Sequence, residues 1–452
     1  MKITLTHELK IEDIHLSLLA GLKQKLTIKN PAYVEALKFG RSTWDIPETL
    51  SYYEEEPGSL TVPRGMTGYV VRRCNQLGIR YSLADHRRSL PEVHFELRGD
   101  LRPYQKEAVQ EMMRKDFGVL EAPTGSGKTI MALSLIAMRK QPALIVVHSK
   151  ELLHQWEERI ESFLGIPCDH IGIFGDGLKR IGEIISVGII NSLYSLDGET
   201  LNMFGHVIID ECHRVPSRLF SEFLQKIESK LILGLSATPY RNDGLTDLIN
   251  FFVGDNVYKV NRKILTENGD ILKPQVIWKE TKFDTLTDAS DQYSKVIYEL
   301  TQDSPRNQLI CHDINNTIHK TDGIFLVVSD RKEHCVILKN ILNKIHGIDS
   351  ILLTGDVPKK ERKAVIGRLS EGKIKVLIAT GQLIGEGFDC HGLSDLFLVT
   401  PLKYPGRLIQ YVGRILRPLP GKRATVHDYN DVKVGVLAAS ARKREWAYKG
   451  LT

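Results

Sequence analysis

The sequence predicts an α/β protein in which two parallel sheets lie in tandem behind a small α+β module. Two observations predict it. From residue 117 onward, short β-branched runs alternate with helical stretches, the pattern of a parallel sheet covered on both faces. After a polar break at 255–320 the same alternation returns, so a second α/β domain follows the first. A length of 452 residues leaves room for about three domains at ~150 residues each.

Residues 1–98 are the first module. β-like stretches at 2–5 and 59–62, with a helical pattern at 67–77 that stops at Gly78, make it α+β. Trp44, Tyr52, Tyr53 and Tyr69 lie among Arg41, Arg64, Arg72, Arg73, Arg80, Arg87 and Arg88. Aromatic and basic residues interleaved this way can stack bases and pair phosphates. The same composition also suits an ordinary core with a solvated basic rim.

The next domain spans 99–254. Strands are expected at 118–121, 143–148, 187–191, 206–210 and 230–236, with helices at 150–163 and 217–227 between them. The stretch 255–320 reads as a connection, with a helix-like segment at 291–303. The last domain, 321–452, repeats the pattern with strands at 323–329, 350–354, 375–380, 396–400 and 424–428.

Ala122-Pro123-Thr124-Gly125-Ser126-Gly127-Lys128-Thr129 joins the first of these strands to a helical run at 130–139. A strand, a Gly-rich turn and a helix in that order make a phosphate cradle, because backbone N–H groups of the turn and helix start point at the anion. Lys128 adds a mobile positive charge for the β- and γ-phosphates, and the Thr129 hydroxyl suits Mg²⁺. The common form of this motif opens with Gly where this chain has Ala122. A nucleoside triphosphate is the expected fuel.

Val207-Ile208-Ile209-Asp210-Glu211-Cys212-His213 is an apolar strand ending in two carboxylates. Ligands of open α/β sheets sit at the carboxyl ends of strands. Asp210 is placed to hold the Mg²⁺ that Thr129 also touches, and Glu211 to orient or deprotonate an attacking water. Arg414 and Arg417 lie three apart, so on a helix they share a face. From the last domain they could act as arginine fingers.

Further stretches fall in order around these. They are Leu101-Arg102-Pro103-Tyr104-Gln105, Ser236-Ala237-Thr238, Ala379-Thr380, Gly385-Glu386-Gly387-Phe388-Asp389 and Gln410-Tyr411-Val412-Gly413-Arg414-Ile415-Leu416-Arg417. The ordered set resembles the superfamily 2 helicases over about residues 100–430. The resemblance implies two RecA-like motor domains that use ATP and Mg²⁺. It assigns Arg102 and Gln105 to nucleotide recognition, and Gln105 carries the donor and acceptor that adenine requires. It places Gly387 and Asp389 at the nucleotide, with Thr380 and the stretch near Gly387 on the nucleic-acid backbone. Ser236, Thr238, His213 and Gln410 would couple hydrolysis to domain motion.

His148, Ser149 and Lys150, followed by Gln155-Trp156, occupy the family's first strand-contacting motif, and Asn191 and Ser192 the next. Thr354-Gly355-Asp356 resembles a third, from the last domain. Asp-Glu-Cys-His at 210–213 is close to the DEAH/DEVH type. Arg241-Asn242-Asp243 stands where XPB-like helicases have Arg-Glu-Asp, with Asn242 in place of Glu. Val328-Ser329-Asp330-Arg331 resembles the XPB-like opening of the second motor domain, which adds Arg241, Ser329 and Arg331 to the nucleic-acid contacts. The N-terminal module is similar in place and length to the DNA-recognition domains of XPB-like and phage UvsW-like helicases.

The resemblance thus implies an ATP-dependent DNA helicase or translocase acting on single-stranded, forked or branched duplex DNA. RNA as the track, a motor subunit of a larger DNA-processing or defence complex, or a catalytically dead nucleic-acid-binding adaptor stays open. A net charge of +6 suits a nucleic-acid partner. Six cysteines without a C-x-x-C spacing read as buried thiols in a reducing compartment. No apolar run approaches ~18 residues and the start does not read as a signal peptide, so no membrane partner is expected. The expected location is cytoplasmic, nucleoid-associated if the source is a prokaryote or phage.

Overall fold

Alternation of apolar residues builds the N-terminal sheet. Ile3 and Leu5, Leu9 and Ile11, and Leu60 and Val62 are all buried, each pair two residues apart and so on one face. The five strands run in the order Glu54–Glu56, Ser59–Pro63, Glu8–Glu12, Lys2–Leu5 and Ser82–Asp85. The Thr67–Leu77 helix ends as expected at Gly78, whose φ of 66° is the left-handed conformation of a helix C-terminus. The computed structural model describes residues 1–214, 217–237, 244–288, 292–355, 357, 359–385, 390, 392–402 and 405–451. Thr238, Arg241, Asn242, Asp243, Asp356, Glu386, Gly387, Phe388 and Asp389 lie outside the described residues.

The chain divides into two compact units, Met1–Pro123 with Gly127–Val260, and Asn261–Thr452 with Thr124–Ser126. The first unit holds the N-terminal module and an eight-stranded sheet. That sheet runs Leu178–Arg180, Gly172–Gly175, Ile185–Ile189, Ala143–Val147, His206–Ile209, Leu231–Ser236, Phe117–Glu121 and Asn256–Lys259. All neighbours are parallel except the outermost hairpin. Its central strands are apolar and buried along their length, as sheets covered on both faces require.

The N-terminal module shares a core with this domain. Met66, Val70 and Cys74 belong to one apolar cluster with Leu248, Phe251 and Phe252. Gly65 is pressed so close that a Cβ there would lie 2.5 Å from the carbonyl oxygens of Asn250 and Phe251. Three residues of the basic set serve this joint. Arg64 donates to the Ser229 carbonyl, Arg72 pairs with Asp255 at 2.8 Å, and Arg87 bridges Asp85 and Asp116, both at 2.7 Å. For these three the ordinary reading holds over the base-and-phosphate one. Trp44 stays 95 % exposed.

The second unit is built on six parallel strands in the order Pro274–Glu280, Ala424–Asn430, Leu393–Leu398, Ile324–Ser329, Val376–Thr380 and Ser350–Leu353. The stretch 255–320 is more than a connection. It supplies an edge strand to each sheet, Asn256–Lys259 to the first and Pro274–Glu280 to the second, and then the helices Tyr293–Gln302 and Ser304–Ile318. Edge strands are covered on fewer sides, and these two consist almost wholly of exposed and half-buried residues, which is why the segment reads as polar. The buried Arg306–Asp431 pair at 2.7 Å, with Thr281 donating to the same carboxylate, ties these helices to the sheet.

Candidate functional site

The strand order sets the candidate residues of the first unit in a row. At the carboxyl ends of adjacent parallel strands come Asn191 and Ser192, then His148, Ser149 and Lys150, then Asp210 and Glu211, then Ser236, then the Ala122–Thr129 loop. Residues distant in sequence therefore meet along one edge, where open α/β sheets hold ligands.

The loop has the backbone of an anion cradle. Gly125 and Gly127 have φ of 87° and 83°, in the region glycine favours. The Lys128–Arg139 helix begins directly after Gly127 and carries no acidic residue in its first turn, so its positive dipole end is left for an anion. A Cβ on Gly127 would lie 2.4 Å from Gln105 Nε2, so Gln105 lies against the loop at this residue. Gln105 is buried. Its side-chain oxygen accepts from the Arg102 N–H at 2.9 Å, closing the start of the Pro103–Met113 helix, while Arg102 itself is exposed.

Lys128 Nζ donates to the Ala122 carbonyl at 3.3 Å and stands 3.4 Å from Glu211 Oε1. Glu211 has a φ of 46°, rare for a residue with a side chain and a recurrent feature of functional sites. Its Oε2 is buried, accepts no hydrogen bond, and has His213 Nδ1 at 3.5 Å. Burial alone would raise the Glu211 pKa, but the neighbouring positive charge, that of Lys128 first, outweighs it and holds the group ionised. Asp210 is shifted the other way, upward, by burial and by the Glu211 charge. The two neighbours are thus pushed apart, as acid–base and electrostatic roles require.

Asp210 is 8 % exposed. Its Oδ1 accepts from the Glu211 N–H and its Oδ2 from the indole N–H of Trp156, both at 2.9 Å. Trp156 entered the sequence reading only as part of a strand-contacting motif. The signal that could have marked it is an indole N–H at a buried helical position, which needs a partner. His213 Nδ1 and the buried Ser236 Oγ are 2.9 Å apart, which links the carboxylate strand to the next one.

Among the described residues no group of three or more His, Cys, Asp or Glu side chains forms a metal cluster. Magnesium is usually held by one or two carboxylates together with phosphate oxygens. The residues present fit that pattern: Asp210 keeps free lone pairs, Thr129 is half-buried, and Glu211 Oε2 is an unsatisfied acceptor.

The nucleic-acid candidates are less uniform. Ser149 caps the Lys150–Leu164 helix, accepting from Leu152 N–H at 3.3 Å, and Lys150 pairs with Asp176 at 2.6 Å. His148 is half-buried beside Arg214, and burial with that charge pushes its pKa down to about 4. Asn191 is exposed and Ser192 half-buried.

In the second unit, Ser329 and Thr380 are the last residues of two adjacent strands, Arg331 lies just past the first of them, and Thr354 with Gly355 follows the next strand. Thr380 and Ser329 are buried. The Ser329 hydroxyl is turned inward: it meets His334 Nδ1 at 3.0 Å and accepts from Arg331 N–H at 3.1 Å. Gln410 and Arg414 lie on the Pro405–Ile415 helix, Gln410 buried. Arg417 falls beyond that helix, so the argument from a shared helical face does not reach it.

Two family models match the chain, the type III restriction enzyme res subunit over residues 98–241 and the helicase conserved C-terminal domain over residues 306–418. The DNA 3'-5' translocase XPB2 of Sulfurisphaera tokodaii is 27 % identical over 361 residues, 73 % of this chain and 81 % of that protein. Probable helicase D10 of Escherichia phage T5 is 26 % identical over 420 residues, 88 % of each chain. A fragment of a putative HsdR subunit of a type I restriction enzyme from Vibrio vulnificus YJ016 shares the fold, with a TM-score of 0.57 and 20 % identity over 77 % of this chain and 66 % of the other. Among the described residues no helix is long and apolar enough to cross a membrane.

Proposed function

The chain belongs to superfamily 2 of the helicases, and we propose that it is an ATP-dependent DNA helicase or translocase. The observation that carries this reading is the row of residues at one sheet edge, from Asn191 through Asp210 and Glu211 to Lys128. A proposed phosphate cradle, a pair of carboxylates and candidate strand contacts on neighbouring strands support it. The XPB2 relative, named a DNA 3'-5' translocase and matched over 81 % of its length, supports DNA as the track.

In this reading the loop N–H groups and Lys128 bind the triphosphate of ATP. Magnesium held by Thr129 and Asp210 would neutralise charge on the β- and γ-phosphates. Glu211, kept ionised and with one unspent oxygen, orients the attacking water and takes its proton. Arg414 and Arg417 are the proposed source of the further positive charge that phosphoryl transfer needs. His213 and Ser236 pass the change at Glu211 to the neighbouring strand. Lys150, Asn191, Arg331 and Thr354 are proposed to hold the nucleic-acid backbone, contacts that position a strand without reading its sequence.

Steady-state ATP hydrolysis by the full chain tests this, measured alone, with DNA, and with RNA of the same sequence. Stimulation by DNA that Lys128→Ala abolishes supports the proposal. Equal hydrolysis with and without DNA overturns it, and stimulation by RNA alone moves the track to RNA. Strand displacement on forks, bubbles and duplexes at two salt concentrations then separates unwinding from translocation.

A further inference from the structure

We infer that Trp156 is a positioning residue for Asp210, fixing through its indole N–H the carboxylate that the proposed nucleotide site offers to magnesium. The inference rests on the nucleotide-site reading above.

Trp156 is 2 % exposed and sits mid-way along the Lys150–Leu164 helix. On its buried face, Leu153 and Ile160 are apolar neighbours at helical spacing. Packing alone would accept Phe or Leu there. The indole adds one polar group, a donor with no acceptor capacity, and that donor goes to Asp210 Oδ2, 54 residues away in the chain. Oδ1 takes the Glu211 N–H. Each carboxylate oxygen thus has one protein donor, one from the helix and one from the strand end. Two bonds at the two oxygens define the plane of the group, and an ionised carboxylate has about four lone-pair sites, so acceptor capacity remains for a metal and its waters. Groups that orient a metal ligand from behind in this way set its affinity. The Trp156 bond satisfies Oδ2. Without it Oδ2 would be a buried acceptor lacking its protein donor, free to turn out of the plane that the two bonds define.

The helix that carries Trp156 also begins with Ser149 and Lys150. One rigid element therefore holds the support of the metal carboxylate in its middle and candidate strand contacts at its start.

Calorimetric titration of a non-hydrolysable ATP analogue, with magnesium and with a chelator, tests the assignment. In the wild type magnesium tightens binding. In Trp156→Phe, which keeps the ring and loses the donor, that magnesium-dependent gain falls about ten-fold while affinity in chelator is unchanged. A gain equal to the wild type's overturns the inference and leaves the nucleotide reading standing. A wild-type chain that binds the analogue in neither condition overturns both. Should Trp156→Phe fail to fold, a second measurement decides. The chain has four tryptophans, and Trp44, Trp278 and Trp446 are exposed. With those three changed to Phe, the emission of Trp156 should shift when analogue and magnesium are added together and not with analogue alone. Emission that never responds to magnesium and analogue overturns the inference.

Discussion

Lys128 Nζ stands 3.4 Å from Glu211 Oε1, so the cation of the phosphate loop and the carboxylate proposed to direct water are each other's partners. A phosphate that draws Lys128 away frees Glu211 to act on a water. The pair is inward-facing, with 12 % and 15 % of the two side chains exposed, so the interaction is poorly screened. Lys128→Ala should therefore remove both phosphate binding and the charge that keeps Glu211 ionised, lowering ATP turnover by about 100-fold or more. Glu211→Gln should lower turnover by a similar factor and leave nucleotide affinity within a few-fold. Steady-state hydrolysis and equilibrium binding on the two variants check this, and turnover preserved in either contradicts the roles assigned.

The contact between His213 Nδ1 and Ser236 Oγ, 2.9 Å, predicts a different signature. Neither group is placed to do chemistry on a phosphate. A buried neutral hydrogen bond contributes about 1 kcal/mol, or about five-fold. Ser236→Ala should keep ATP hydrolysis within that factor while strand displacement per ATP falls further. Hydrolysis and displacement falling in step would show that Ser236 serves only the fold.

Lys150 is proposed to hold a nucleic-acid phosphate, yet its ammonium is taken by Asp176 at 2.6 Å, and Asp176 also meets His154 Nε2 at 3.2 Å. Asp176 and Gly177, with φ of 51° and 81°, form the two-residue turn of the edge hairpin. Asn tolerates that backbone, so Asp176→Asn removes the competing charge and keeps the turn. An exposed ion pair is weak, so affinity for single-stranded DNA should rise by no more than about five-fold. The gain should shrink with salt and vanish when Lys150→Ala is added. Anisotropy titrations at two salt concentrations measure it.

The central strands were legible because they are locally apolar: Ala143–Val147 is five buried residues without a break. The edges were not. Glu54–Glu56 is an exposed strand of three glutamates without an apolar residue, held by its pairing with Ser59–Thr61 and by ion pairs of Glu55 with Lys23 and Glu56 with Lys10. The phosphate loop could be read from adjacent residues, since the motif is local. Trp156 beneath Asp210, Arg87 between Asp85 and Asp116, and the Ser329 hydroxyl turned inward depend on tertiary neighbours that no window of sequence contains.

The joint of the N-terminal module gives two opposite expectations at consecutive residues. Arg64 is 2 % exposed, donates only to the Ser229 carbonyl, and leaves Nε and Nη2 buried without partners. Burial, and then Arg87, push its pKa down to about 9. Replacing an under-paired buried charge with an apolar side chain of like volume is often neutral or stabilising, by about 1–4 kcal/mol. Arg64→Met should therefore hold or raise the unfolding midpoint. Gly65→Ala should lower it sharply, at a cost of about 3 kcal/mol or more, because the new Cβ meets backbone atoms at 2.5 Å. Thermal unfolding of both variants reads the two signs.

His334 sets a stability dependence in the second unit. It is fully buried, with Nδ1 3.0 Å from Ser329 Oγ and Nε2 2.9 Å from Asn307 Oδ1. Asn307 uses its amide hydrogens on the Thr301 carbonyl, so its oxygen must accept, and Nε2 carries the histidine proton. Nδ1 then accepts from the Ser329 hydroxyl, so a second proton on the ring breaks that bond as it stands. Burial, and then Arg306, push the pKa from 6.5 down to about 3. Between these values the unfolded chain binds a proton that the folded one does not, so stability is present above the unfolded pKa and is lost as pH falls toward the folded one. By about pH 5 the loss from this one group is about 2 kcal/mol. His334→Gln cannot titrate in this range. It should be less stable near neutrality, because the fit to Ser329 is lost, and it should lose about 2 kcal/mol less than the wild type between about pH 7 and pH 5. Denaturant unfolding at the two pH values separates the outcomes, since equal losses in both proteins would mean that His334 takes no part in the acid sensitivity.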